Sequence, residues 1–196
     1  MDKTTHISVI NMKRLLTILN CFLTLLLIPN ILLAANNSED KPVDEFIKHK
    51  VVLVQAIGVD AGLWAYNSYI ANEPWAKIST QSFKNNIEQG WVIDEDEFDV
   101  NQFGHPYQGA LVYTSARAHG LGFWESIPYP ILSSFIWEIG LETEYPSIND
   151  MITTPLSGIT YGEISHRLSQ LILGNNPAIT NEILALIVNP SLGLNR

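Results

Sequence analysis

The chain has 196 residues, a formal net charge of -9, 46% apolar residues and 16% charged ones, which is the profile of a folded domain and not of a disordered acidic tail. Its first 35 residues carry Lys3, Lys13 and Arg14 against Asp2, a net of +2, which leaves -11 for the rest. An acidic surface repels phosphate backbones, so no nucleic-acid partner is expected.

Met12-Lys13-Arg14 followed by the apolar run Leu15 to Ala35 reads as a secretory signal: a basic start, a long apolar stretch and small residues at its end. Export to the periplasm or the outer membrane is therefore the expected location. Cys21, the single cysteine, lies inside that run, so a chain cut after it has no disulfide and no thiolate metal site. Residues 36 to 42 read as a polar linker, and 43 to 196 as a single helical domain.

From about Val43 to Ile70 the pattern is helical, and Val51 to Ile70 approaches the ~20 residues of a membrane span. Asp60 in its middle would cost ~2.5–3.5 kcal/mol at a bilayer centre. A helix packed in a core or against a membrane surface is the favoured reading, with Asp60 as a polar partner inside a bundle. A short helix over Ser82 to Gln89 follows, with Ser82 as its cap and Gly90 as its stop. Alternation around Ile78, Phe83, Ile87 and Trp91 leaves a strand open there.

The run Asp94-Glu95-Asp96-Glu97-Phe98-Asp99 has the spacing of a calcium loop. It fails at the sixth position, Asp99 in place of glycine, and at the twelfth, His105 in place of glutamate. An irregular, solvated acidic loop is expected.

A helix should then run from Pro106 to about His119, with Gly109, Tyr113 and Arg117 on one face and His105 at its entrance. A second, from near Trp124 to Glu142, is apolar except for Ser134, Glu138 and Glu142. Buried carboxylates need partners, and an Arg117–Glu138 or Arg117–Glu142 pair is the simplest. A third opens at Ser147 with Asp150 as a capping box. It carries small residues at 154, 158 and 162, where another helix can approach closely, and Pro155 is expected to kink or split it. Arg167 is placed to pair with Glu163. Glu163 and His166 form one half of a carboxylate-bridged metal motif that such bundles use twice, so no metal is expected, and His166 and Arg167 should face outward. A last helix, Pro177 to Val188 behind an Asn176 cap, precedes a turn-like tail with no closing element. With no Gly-rich phosphate loop and no zinc spacing in the sequence, no cofactor is expected.

Gly90-Trp91 with the acidic turn, Asn101-Gln-Phe-Gly-His105-Pro-Tyr-Gln-Gly109, Ala116-Arg117, Trp137-Glu138, Pro146-Ser147-Ile-Asn-Asp150 and Gly162-Glu163 together resemble a bacterial domain-of-unknown-function family, number 3943. The resemblance covers about half the chain. It implies an exported envelope protein, and longer members resemble this chain followed by strand-rich, outer-membrane-like sequence, so that this chain would be a truncated, helical portion of them.

The expected fold is thus mainly α, a compact bundle of about four to six helices with an irregular acidic loop, after a signal peptide. Two functions stay open. In one, Arg117, Glu138, Glu142, Glu163 and Tyr113 form a buried network in a structural or assembly module of the envelope, with a membrane surface or an outer-membrane component as partner. In the other, the same residues with His105 and Asp99 form an active site for an envelope lipid or glycan, His105 acting as acid or base; Ser126 and Ser134 are nucleophile candidates by position alone.

Overall fold

A computed structural model describes residues 44–93, 98, 100–175 and 178–194. The leader, the linker, Asp94 to Glu97, Asp99, Asn176 and Pro177 lie outside the described residues. The described part is mainly helical, as expected, and no strand forms among those residues; Val92 and Ser147 make one isolated parallel bridge.

Helix α1, Glu45–Tyr66, starts where the Asp44 carboxylate accepts the Phe46 amide at 2.9 Å, satisfying one of the free donors of a first turn. A π-helical turn, Asn67–Ala71, ends it, and Asn72 follows in the left-handed region at φ 59°. Helix α2, Thr80–Gln89, is capped by Ser79 and not by Ser82: Ser82 stands at the third helical position and completes a reciprocal pair with Ser79. Gly90 stops it at φ 74°.

A second π-helical turn, Val100–Gly104, leads into helix α3, His105–Ala118. After Gly120 come helix α4, Phe123–Ser126, helix α5, Pro128–Ile136, and a third π-helical turn, Trp137–Leu141. Helix α6, Ile148–Leu173, is one continuous helix of 26 residues with Pro155 inside it, so the expected split does not occur. Helices α7, Ile179–Val188, and α8, Pro190–Leu194, follow. The expected open tail is instead this short last helix. It closes on α3, where the Ser191 hydroxyl meets those of Thr114 and Ser115 at 3.1 and 3.2 Å.

Helix α3 is the centre: α1, α5, α6 and α8 all pack on it. Its apolar side joins Val112 and Ala116 to Val52, Ala56 and Val59 of α1, with Leu121 and Tyr129. Its other side meets α6 backbone to backbone. A Cβ on Gly158 would stand 2.5 Å from the Cα of Gly109, and one on Gly162 would stand 2.7 Å from the Tyr113 ring. The small residues at 154, 158 and 162 do form the contact strip read from the sequence, and its mate is the Gly109–Tyr113–Arg117 row of α3.

Candidate functional site

The start of α6 and the turn after α5 build the most polar part of the interior. Ser147 caps α6 by accepting the Asp150 amide at 3.2 Å. In a capping box the third residue's own side chain would take the Ser147 N–H in return. Here Glu138, from the π-helical turn, accepts it at 2.8 Å. The Asp150 carboxylate is thereby turned elsewhere, and one of its oxygens lies 3.7 Å from His105 Nε2. Asp150 was expected to be a cap alone; it is half of a buried acid–histidine pair.

Glu138 is 1% exposed. Burial pushes its carboxyl up to about 7, and the Asp150 charge adds to the rise against the Ser147 amide, His105 and a hydrogen bond with Glu142. Two carboxyls joined by a hydrogen bond need one proton between them. Trp137 Nε1 donates to Glu142 at 3.1 Å and orients that side chain. Asn86 of α2, which the sequence reading passed over, donates its amide to the carbonyls of Glu138 at 3.3 Å and Glu142 at 3.1 Å. It fixes the irregular backbone from which both glutamates project.

Beside this cluster Asp60, in the middle of α1, accepts Ser133 Oγ at 2.7 Å and Gln108 Nε2 at 3.2 Å. Burial raises its carboxyl to about 7, against the pull of those two hydrogen bonds. Ser134, one residue along α5, donates to the Asp150 carbonyl at 3.3 Å. The Ser133–Ser134 step thus links the Asp60 group to the His105–Asp150–Glu138 group across one helix.

Arg117 is not part of this interior cluster, and the expected Arg117–Glu138 or Arg117–Glu142 pair does not form. Its guanidinium pairs with Glu163 of α6 at 3.0 Å and donates to the Leu121 carbonyl. Tyr113 donates to the same Glu163 oxygen at 2.8 Å, and Arg167 holds the other at 2.8 Å. Burial alone would raise the Glu163 carboxyl, but Tyr113, Arg167 and Arg117 outweigh it and hold it below the usual range. Tyr113 is pushed far up by burial and by Glu163. Arg167 faces outward as expected; His166 does not, being buried, and burial followed by Arg117 lowers its basicity.

The six candidates therefore fall into two groups. His105, Glu138 and Glu142 gather with Asp150; Arg117 and Glu163 gather with Tyr113; Asp99 lies outside the described residues. His105, expected at the entrance of α3, is its first residue and is 6% exposed. Ser126 and Ser134, the nucleophiles by position, each spend their hydroxyl proton on a backbone carbonyl, Gly122 and Asp150 respectively. Among the described residues no three histidine, cysteine or carboxylate side chains are arranged to hold a metal ion. A groove of about 350 Å³ runs between α3, α6 and the Val188–Pro190 corner, and none of the six candidates lines it.

These features define a class: an all-helical module wound on one central helix, with acids and a histidine in its interior. Residues 90–191, just over half of the chain, match the family model described as "Domain of unknown function (DUF3943)", and the chain belongs to that family. No curated protein matches the chain, and no solved structure does.

Proposed function

We propose that the chain is a structural or assembly-type helical module of the cell envelope, carried out of the cytoplasm by its amino-terminal leader. What supports this reading is the division of the candidate side chains into two networks, one buried and one half-buried, each bonded within itself and each placed between helices. One locks the start of α6 to the turn after α5; the other locks α3 to the middle of α6. A buried, hydrogen-bonded polar group specifies one packing arrangement, because any other leaves it unpaired at a cost of about 1–3 kcal/mol per group.

A second reading is supported by the His105–Asp150 pair beside Glu138: an envelope enzyme acting on a lipid or glycan, with His105 as acid or base. Thermal unfolding together with complementation separates the two. For a packing device, His105→Ala and Glu138→Ala, which leaves the Ser147 amide without its acceptor, both lower Tm by several degrees, and envelope integrity of a complemented deletion strain falls in step with the loss of folded protein. A His105→Ala chain that melts like the wild type, accumulates normally and yet fails to complement would overturn the structural reading in favour of the enzymatic one.

A further inference from the structure

The polarity of this molecule is inverted along three of its helices. From Val51 to Ala71, from Pro128 to Leu141 and from Ile148 to His166, no exposed position is charged, and every one except Thr160 is apolar or aromatic. Leu53, Ile57, Leu132, Phe135, Leu156 and Ile164 all stand in the open. Within the same stretches Asp60, Ser133, Ser134, Glu138 and Asp150 are buried.

Water-exposed domains seldom carry apolar patches beyond a few hundred Å². A docked protein of ordinary size covers one side, about 800 Å². Here the exposed apolar positions are spread over three helices, α1, α5 and α6, all packed on α3 and with α5 against both of the others. The contacts between the helices are also those that work without a hydrophobic drive: glycine against glycine at 109 and 158, serine hydroxyls bridging helices, and ionisable groups turned to the bundle interior. The groove beside α3 continues the pattern. Its Thr114 and Ser165 hydroxyls are turned onto the Ala110 and Val188 carbonyls, so its wall is mainly apolar, with Gln102, Tyr107 and Tyr161 as its other polar side chains, and its volume is at the small end of ligand sites of ~300–1,000 Å³.

We propose that lipid acyl chains are the surroundings of α1, α5 and α6, and that the groove between α3 and α6 receives one such chain. No helix among the described residues is long and apolar enough to cross a membrane. Helix α5, of 9 residues, is too short to cross, so contact with acyl chains here means the apolar outer faces and not a span. The proposal is contact between these faces and acyl chains; it concerns the outer surface and does not rest on the role assigned to the two networks.

The test is site-resolved, because the leader could tether the chain to a vesicle by itself. In the full chain with Cys21→Ser, single cysteines at Leu53, Leu132 and Leu156, and at Gln81 on α2 as the polar control, carry an environment-sensitive nitrobenzoxadiazole label. The chain is reconstituted with neutral phosphatidylcholine vesicles at high salt, and circular dichroism confirms that each variant keeps its helicity. The labels at 53, 132 and 156 should shift to the blue, resist iodide and be quenched by doxyl groups on the lipid chains, while the label at 81 stays open to iodide. Labels at 53, 132 and 156 that remain iodide-accessible on vesicle-bound protein would show tethering by the leader and sink the proposal. So would labels shielded from iodide but untouched by lipid-borne quencher in a discrete larger species, which would assign the faces to a second copy.

Discussion

Asp60 shows how one side chain can be essential to packing and costly to stability together. Its carboxylate accepts Ser133 and Gln108, yet burial keeps it half protonated near pH 7. A carboxyl raised in the folded state stabilises below its unfolded value, and that contribution is lost as pH rises through the folded value. Between about pH 4 and 7, therefore, rising pH removes stability through this residue. Asparagine keeps the acceptor oxygen and carries no charge to desolvate. Asp60→Asn should melt above the wild type at pH 8, with the advantage shrinking steadily as pH falls and gone only near pH 4. Equal melting-temperature slopes for the two proteins across that range would contradict the assignment.

Among the elements, the α3–α6 seam was the most legible in the sequence and also the source of the main misreading. Gly109, Tyr113 and Arg117 repeat every four residues, and so do Thr154, Gly158 and Gly162, with Glu163 next in line. Laying one row on the other places Arg117 against Glu163, which the structure shows. The sequence reading had both rows but matched Arg117 to the glutamates of the neighbouring segment, because proximity along the chain stood in for proximity in space. The interior cluster was less legible for a different reason. Asp150 has a sufficient local explanation as a cap, and nothing in the spacing reveals that Glu138, nine residues before Ser147, takes over half of that task. Asn86 left no signal, since an asparagine in a short polar helix is unremarkable until the carbonyls it holds are seen. The glycine seam gives the prediction at this scale. Gly158→Ala puts a methyl on the Gly109 backbone, where neither side can yield, and should cost about 1–3 kcal/mol or more. Thr160→Ala, exposed on the same helix, should stay within about 0.5 kcal/mol. Denaturant unfolding of the two variants reads the difference directly, and a Gly158→Ala midpoint like that of Thr160→Ala would refute the close approach.

For the molecule as a whole, the interior carries its titrating groups in opposition. Asp60 and Glu138 are both raised to about 7, so acidification from pH 8 to 6 adds stability through them. His119 and His166 are lowered from 6.5, burial being the leading cause for each, so they withdraw stability as pH falls below that value. Between pH 8 and 6 the acids act first, and the wild type should melt higher at pH 6 than at pH 8. In Asp60→Asn/Glu138→Gln only the histidines remain of these four, and the order should reverse. Calorimetry at the two pH values decides it; a double variant that still melts higher at pH 6 would show that other groups set the pH response. The helical class was plain in the periodicity, and the burial of Asp60 and Glu138 was expected and is found, whereas the exposure of the apolar positions was not. Period alone says that a helix has two faces, and it does not say which face the rest of the molecule will cover.

The shared cap at Ser147 bears on what the start of α6 depends on. A helix whose capping partners lie within its first turn can begin by itself, but α6 draws one of the two from nine residues upstream, across the third π-helical turn. That turn is held in shape by Asn86 of α2. The amino end of the longest helix is thus fully capped only in a chain whose two earlier segments have also met.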